Sequence, residues 1–159
     1  MGSNDIENAP ARPGGGSVGA ARAAARLAKQ VELGLAEVDL SAPQYRMLAI
    51  LSEGDAAASA LADWLAVSPP SITSLVDGLT ARTFVERHPD PSDRRRQTLK
   101  LTAQGAAALE AADGAVAARL QMIADRAGPG ADDLIDSLND WLPPLDDHRR
   151  SRRPVKEPR

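Results

Sequence analysis

The sequence predicts a mainly α-helical chain interrupted by one small β-hairpin, and three observations point there. Apolar residues recur at steps of three and four along most of the chain, the period of a helix buried on one side. Its only aromatic residues are Tyr45, Trp64, Phe84 and Trp141, so the core falls to Leu, Val, Ile and Ala, which suit helices better than a β-sandwich. The period changes once, to short strand-like segments at 84–88 and 97–101 around a charged, turn-rich stretch. At 159 residues and 43% hydrophobic content, the chain suits one globular core rather than wholesale disorder.

Taken in order, residues 1–17 are rich in Gly, Pro, Asn and Ala and read as a flexible arm. A helix over about 18–37 carries the stripe Ala20, Ala24, Leu27, Val31, Leu35 and Val38. The second helix opens on a capping box, Ser41-Ala42-Pro43-Gln44, with Leu40 and Tyr45 at the two positions of a hydrophobic staple, and stops near Gly54. A third, over 57–66, turns Leu61, Trp64 and Leu65 inward. Ser68 is an N-cap and Pro69 a first helical residue for the fourth, which runs to about Arg82 and buries Ile72, Leu75, Val76 and Leu79. Its other face carries Pro70, Thr73, Ser74, Asp77, Gly78 and Ala81, with Ser71 at the edge.

The two strands follow, joined by the tip 89–96. Thr102 caps a long fifth helix with Leu109, Ala112, Val116, Leu120 and Ile123 on one stripe, ended by Gly128-Pro129-Gly130. A sixth carries Leu134, Ile135, Leu138, Trp141 and Leu142 and stops before Pro143-Pro144. The polar, basic remainder is expected to be disordered, and no internal repeat occurs.

The chain has no cysteine, which removes disulfides, thiolate metal sites, cysteine nucleophiles and thiol redox sensing. Residues 1–19 lack an apolar signal segment, and no apolar run approaches the roughly 18 residues of a membrane span. A cytoplasmic protein is expected. The net charge of −3 hides a segregation. Residues 82–100 hold six basic and three acidic side chains, 131–147 hold six aspartates and no base, and 148–159 hold six basic residues and one glutamate. A local basic face with an acidic remainder fits a nucleic-acid binder, and so does uneven surface charge without function.

Two short helices across a tight turn, followed at once by a charged hairpin, form a winged helix-turn-helix pattern. A major groove about 12 Å wide admits one helix whose small polar side chains approach base edges. A hairpin tip reaches the neighbouring minor groove, where an arginine senses its width and negative potential.

The sequence resembles the multiple-antibiotic-resistance regulator (MarR) family over about residues 20–142. The resemblance is densest in Leu40–Leu48, in Leu61–Ser68 and above all from Ser71 to Gly105, where Asp93-Arg94-Arg95 and Leu101-Thr102-Ala103-Gln104-Gly105 match the family's wing and following motif in order and spacing. It implies a winged helix-turn-helix of six helices that forms a homodimer through its N- and C-terminal helices. Residues 18–40 and 102–145 would then form the dimerisation part, 41–101 the DNA-reading lobe, and 146–159 a basic tail. Leu27, Val31, Leu120, Ile123, Leu134, Leu138 and Trp141 would line the dimer seam. Such regulators usually repress from a pseudo-palindromic double-stranded operator and release it when a small, often aromatic or phenolic, ligand binds.

By position, the resemblance makes Arg95 the wing arginine, Asp93 its orienting carboxylate, and Arg94 and Arg96 phosphate contacts. Ser68, Pro70, Ser71, Thr73, Ser74, Asp77 and Gly78 would lie at the major groove. Many members carry arginine where this chain has Ser74 and Gly78, so the helix offers hydroxyls instead, with Asp77 expected to repel phosphate. The family's glycine ahead of the wing is Thr83 here, which implies a differently built approach to the hairpin.

Other readings stay open. The apolar stripes fit ordinary core as well as a seam, and an arginine run fits a solvated loop when its position is ignored. Tyr45, Arg46 and Trp64 are candidates for an effector pocket, though Tyr45 is equally a staple and Trp64 equally core. His88 and His148 have no companions at ligand spacing, so no metal and no cofactor is expected. No nucleophile–base order and no phosphate-binding glycine loop is present, so no enzyme is expected. The alternatives to a ligand-responsive repressor are an effector-independent architectural DNA binder and a protein-interaction module with weakened DNA binding.

Overall fold

A computed structural model of the chain describes residues 15–90 and 97–151. The six expected helices are present: α1 (Gly15–Glu37), α2 (Ala42–Ser52), α3 (Ala58–Leu65), α4 (Pro69–Ala81), α5 (Ala103–Ala124) and α6 (Ala131–Asn139). A seventh, α7 (Leu142–Ser151), follows where a disordered tail was expected. The sixth helix ends at Asn139, short of the Trp141 and Leu142 expected on it, and Pro143 and Pro144 stand in the first turn of α7, where a missing N–H costs nothing. Arg149 anchors α7 by pairing with Glu53 Oε2 at 2.8 Å and Asp146 at 3.3 Å.

The hairpin strands β2 (Val85–Pro89) and β3 (Gln97–Leu101) are joined by a two-residue strand that the sequence did not reveal, β1 (Ala56–Ala57). The antiparallel order is β1-β3-β2, with Ala56 opposite Leu99 and Val85 opposite Leu101. Two small alanines give no alternation to read, and their pairing is dictated by β3.

Three helices end in the same way. Asp39, Ala66 and Thr83 are left-handed, with φ of 54°, 53° and 60°. After each, the next amide reaches five residues back: Leu40 to Leu35, Val67 to Ala62, Phe84 to Leu79. That is a Schellman cap, and each is followed by an apolar residue that folds onto the core. Thr83 therefore takes the left-handed turn that glycine would take, and the expectation of a differently built approach to the wing is corrected. The conformation costs about 1–2 kcal/mol for a side chain with a Cβ, and the cap's two backbone hydrogen bonds, both 2.9 Å, hold it.

One core runs from the α1–α5 contact into the lobe built by α2, α3, α4 and the sheet. Leu35, Met47, Leu48, Leu61, Leu79 and Val85 are its largest wholly buried side chains. α1 crosses α5 closely at Gly34, where a Cβ would stand 3.2 Å from the Val116 backbone. The capping box is formed: the Ser41 hydroxyl accepts from the Gln44 amide, and the Gln44 side chain accepts from the Ser41 amide. Among the described residues no helix is long and apolar enough to cross a membrane.

The junction between the hairpin and the stalk, the packed pair α1 and α5, is the tightest point. The Thr102 hydroxyl accepts from the Gly105 amide at 3.0 Å and donates to the Thr83 carbonyl at 2.6 Å. A Cβ on Gly105 would sit 2.1 Å from the Phe84 carbonyl oxygen. Gly105→Ala is expected to cost about 3 kcal/mol or more, because backbone must move. Gly114→Ala, in open space on the same helix, should instead stabilise by up to about 1 kcal/mol. Chemical denaturation of both variants checks the contrast.

Candidate nucleic-acid interface

The α4 helix begins where Ser68 caps it, accepting from the Ser71 amide at 3.4 Å, with the two serine hydroxyls 2.8 Å apart. Ile72, Val76 and Leu79 are buried, which fixes the rotation of the helix. Pro70, Ser71, Thr73, Ser74 and Asp77 consequently face outward and are exposed, while Gly78 is half-buried. The Thr73 hydroxyl donates to the Pro69 carbonyl at 3.0 Å and that of Ser74 to the Pro70 carbonyl at 3.2 Å. Their outward side is left with oxygen lone pairs, so in this rotamer both present acceptors. Gly78 has room for a larger residue, since a Cβ there meets only Gln44 Nε2 at 3.9 Å.

Asp77 is not the free, phosphate-repelling acid that the sequence suggested. Arg87 Nη2 lies 2.5 Å from its Oδ1, so a guanidinium from the hairpin neutralises it. In the sequence Arg87 is only one of the six basic residues of 82–100, with no role of its own. Its signal was the strand alternation: Arg87 shares a sheet face with Val85, and that face packs toward α4. On the other face His88 Nε2 pairs with Glu86 at 2.7 Å. Arg82, expected only as the end of the fourth helix, ties the end of α4 to the end of α1 by donating to the Asp39 carbonyl, and stacks 4.5 Å over the Phe84 ring. Asp93, Arg94, Arg95 and Arg96 lie outside the described residues.

The seam candidates come together, with one exception. Leu27, Leu120, Ile123, Leu134, Leu138 and Trp141 line one apolar cavity of about 330 Å³ between α1, α5 and α6. Val31 packs against the main core instead. No residue of α6 is buried, and Leu134, Trp141 and Leu145 are 50%, 63% and 56% exposed. Contiguous apolar surface of this kind marks an interaction face.

The effector candidates do not converge. Tyr45 and Trp64 pack against the core and Arg46 is exposed. None of the three lines the apolar cavity or the shallow groove between α2 and α4, which is formed by Pro43, Gln44, Val67, Ser71, Ser74 and Leu75. Tyr45 has a different role: its hydroxyl donates to Asp113 Oδ1 at 2.6 Å, joining α2 to α5. Burial, then the hydrogen bond to Asp113 and its negative charge, push the phenol's pKa well above its ordinary value. Among the described residues no cluster of three or more His, Cys, Asp or Glu is placed to hold a metal ion.

Comparison with known proteins agrees with this arrangement. The family model described as MarR family matches residues 38–96. The HTH-type transcriptional repressor NicR of Pseudomonas putida is 37% identical over 65 residues, which cover 41% of this chain and 41% of that repressor. Among solved structures, RV1404 of Mycobacterium tuberculosis superposes with a TM-score of 0.67 at 26% identity, covering 79% of this chain and 88% of that one. The transcriptional repressor CouR, solved bound to a 23-mer DNA duplex, gives 0.63 at 27% identity, covering 78% and 89%. Wild-type MarR of E. coli shares the fold at 0.67 and 22% identity, over 84% and 98%.

A raised phenol pKa means that the folded chain prefers neutral Tyr45. Its contribution is fully present below the unfolded value of 10.0 and is lost as pH rises beyond it. The melting temperature should therefore fall above about pH 10, and Tyr45→Phe should flatten that fall. Thermal scans from pH 8 to 11 on both proteins decide this.

Proposed function

We propose that the chain, whose residues 38–96 match the MarR family model, is a winged-helix transcriptional repressor that binds a pseudo-palindromic DNA operator as a homodimer. The observation that carries the proposal is the outward face of α4. It is small, polar and capped, and it is followed within a few residues by a hairpin whose two strands are joined, in the sequence, by a segment with three consecutive arginines. The relatives NicR and CouR are repressors, and CouR was solved on a DNA duplex.

In this reading, residues 41–101 are the DNA-reading lobe. Ser68, Pro70, Ser71, Thr73 and Ser74 meet the major groove, and Arg95, oriented by Asp93, enters the minor groove. Arg94 and Arg96 hold phosphates. Residues 18–40 and 102–145 carry the dimer contact, with α6 and its exposed leucines covered by a second copy. Pairing two lobes through one two-fold axis sets two half-sites about one helical turn apart, roughly 10 bp. Operator release by a small aromatic or phenolic ligand, and action in the cytoplasm, complete the proposal. They rest on the family resemblance.

Selection of bound duplexes from a random pool, at fixed salt, is expected to return an inverted repeat with half-site centres about 10 bp apart. A pool left unchanged would count against sequence recognition and favour an architectural role. Arg95→Ala should weaken binding to the selected site about 10-fold or more while the protein's oligomeric state is unchanged. Equal affinity of the variant and parent would remove the wing from the account.

A further inference from the structure

The outward face of α4 offers hydroxyl acceptors and one carboxylate, and none of its residues carries a charged donor. Guanine presents two acceptors, O6 and N7, to the major groove. The helix alone is therefore poorly matched to guanine. We propose that Arg87, reaching from β2 and held by Asp77, supplies the missing donor and reads a guanine beside Thr73 and Ser74. This rests on the DNA-binding reading and adds a specificity-determining residue to it.

The geometry supports the role in three ways. Asp77 lies three and four residues after Ser74 and Thr73, so all three share one strip of the helix surface. Arg87 alternates with Val85 on the sheet face that looks toward α4, and with the strand running outward its guanidinium emerges against Asp77. The pair lies at the surface, with side chains 41% and 60% exposed, where the groove would be met.

Chemistry points the same way. A guanidinium has five N–H donors in a planar fork. Among the described residues Asp77 takes one of them, through Nη2. The rest of the fork remains for a base edge. A carboxylate that fixes the arginine in advance lowers the ordering cost of the contact. An exposed ion pair adds little to stability, so folding alone gives weak reason for this pairing. Asp77, set against phosphate if it stood alone, becomes the holder of the reading cation.

The test uses the full chain, a duplex selected from a random pool, and a scrambled duplex of equal length and composition. Lysine keeps the charge of Arg87 but not its fork. Arg87→Lys should lower affinity for the selected duplex about 10-fold or more, with less than about 3-fold change for the scrambled one. Asp77→Asn should reduce the same ratio, and pools reselected with either variant should lose one guanine preference per half-site. Thermal melting of each variant ensures that folded protein is compared. Retention of the ratio and of the guanine by Arg87→Lys would overturn the inference. So would an equal loss on both duplexes, which means a clamp between wing and helix, or an equal gain in Asp77→Asn, which means simple charge repulsion. If the parent chain binds no duplex even at low salt, the DNA-binding reading itself falls and takes this inference with it. If the parent selects a site that the variants read unchanged, only the inference falls.

Discussion

Where α5 leaves the sheet, the Phe84 carbonyl and Gly105 approach so closely that no side chain fits between them. The Thr102 hydroxyl works in the same space, capping α5 through the Gly105 amide and donating to the Thr83 carbonyl. One short motif thereby starts the long helix and fixes the base of the hairpin. Because Phe84 is the residue that closes the end of α4, the motif also fixes the reading helix. The relative placement of α4, the hairpin and α5 follows from this contact, and the proposed groove reading requires such a rigid element.

Most of the fold was legible because its signals are local. Ser41, Ser68 and Thr102 are caps that act within three residues, and the stripes on α4 and α5 repeat at helical spacing. What escaped notice lacked a local signature. Helix ends are sought at glycine, yet α1, α3 and α4 end on Asp39, Ala66 and Thr83, each carried into the left-handed region by a Schellman pair and an apolar follower. Thr83 stands where the family resemblance implies a glycine, and it takes the left-handed geometry that a glycine would take. The extra helix α7 was hidden by Pro143-Pro144, which block a continuing helix and permit a starting one.

The candidate site divides along the same line. The polar face of α4 follows from periodicity alone, and six of the seven candidates for a seam meet around one cavity within the chain. The Asp77–Arg87 pair spans two elements and ten residues, so neither residue's surroundings can be read from its neighbours in sequence. It changes the electrostatics of that face: the carboxylate near the end of the helix is paired with a guanidinium and does not stand alone. The Tyr45–Asp113 bond is of the same kind, spanning 68 residues and tying the lobe to the stalk.

The proposed account depends on two such lobes being held at a fixed distance, and the proposed second copy would cover an apolar face that the single chain leaves exposed. α6 buries none of its residues, and Leu134, Leu138, Trp141, Leu142 and Leu145 stand exposed along α6 and α7. Leaving that much apolar surface in water is unfavourable by about 25 cal/mol for each Å², which a partner of the same chain would relieve through a two-fold, self-complementary contact. Sedimentation equilibrium of the full chain without DNA tests this most directly. The account predicts a species of twice the 16.7 kDa chain mass at micromolar concentration. A species of the single-chain mass across that range would contradict it.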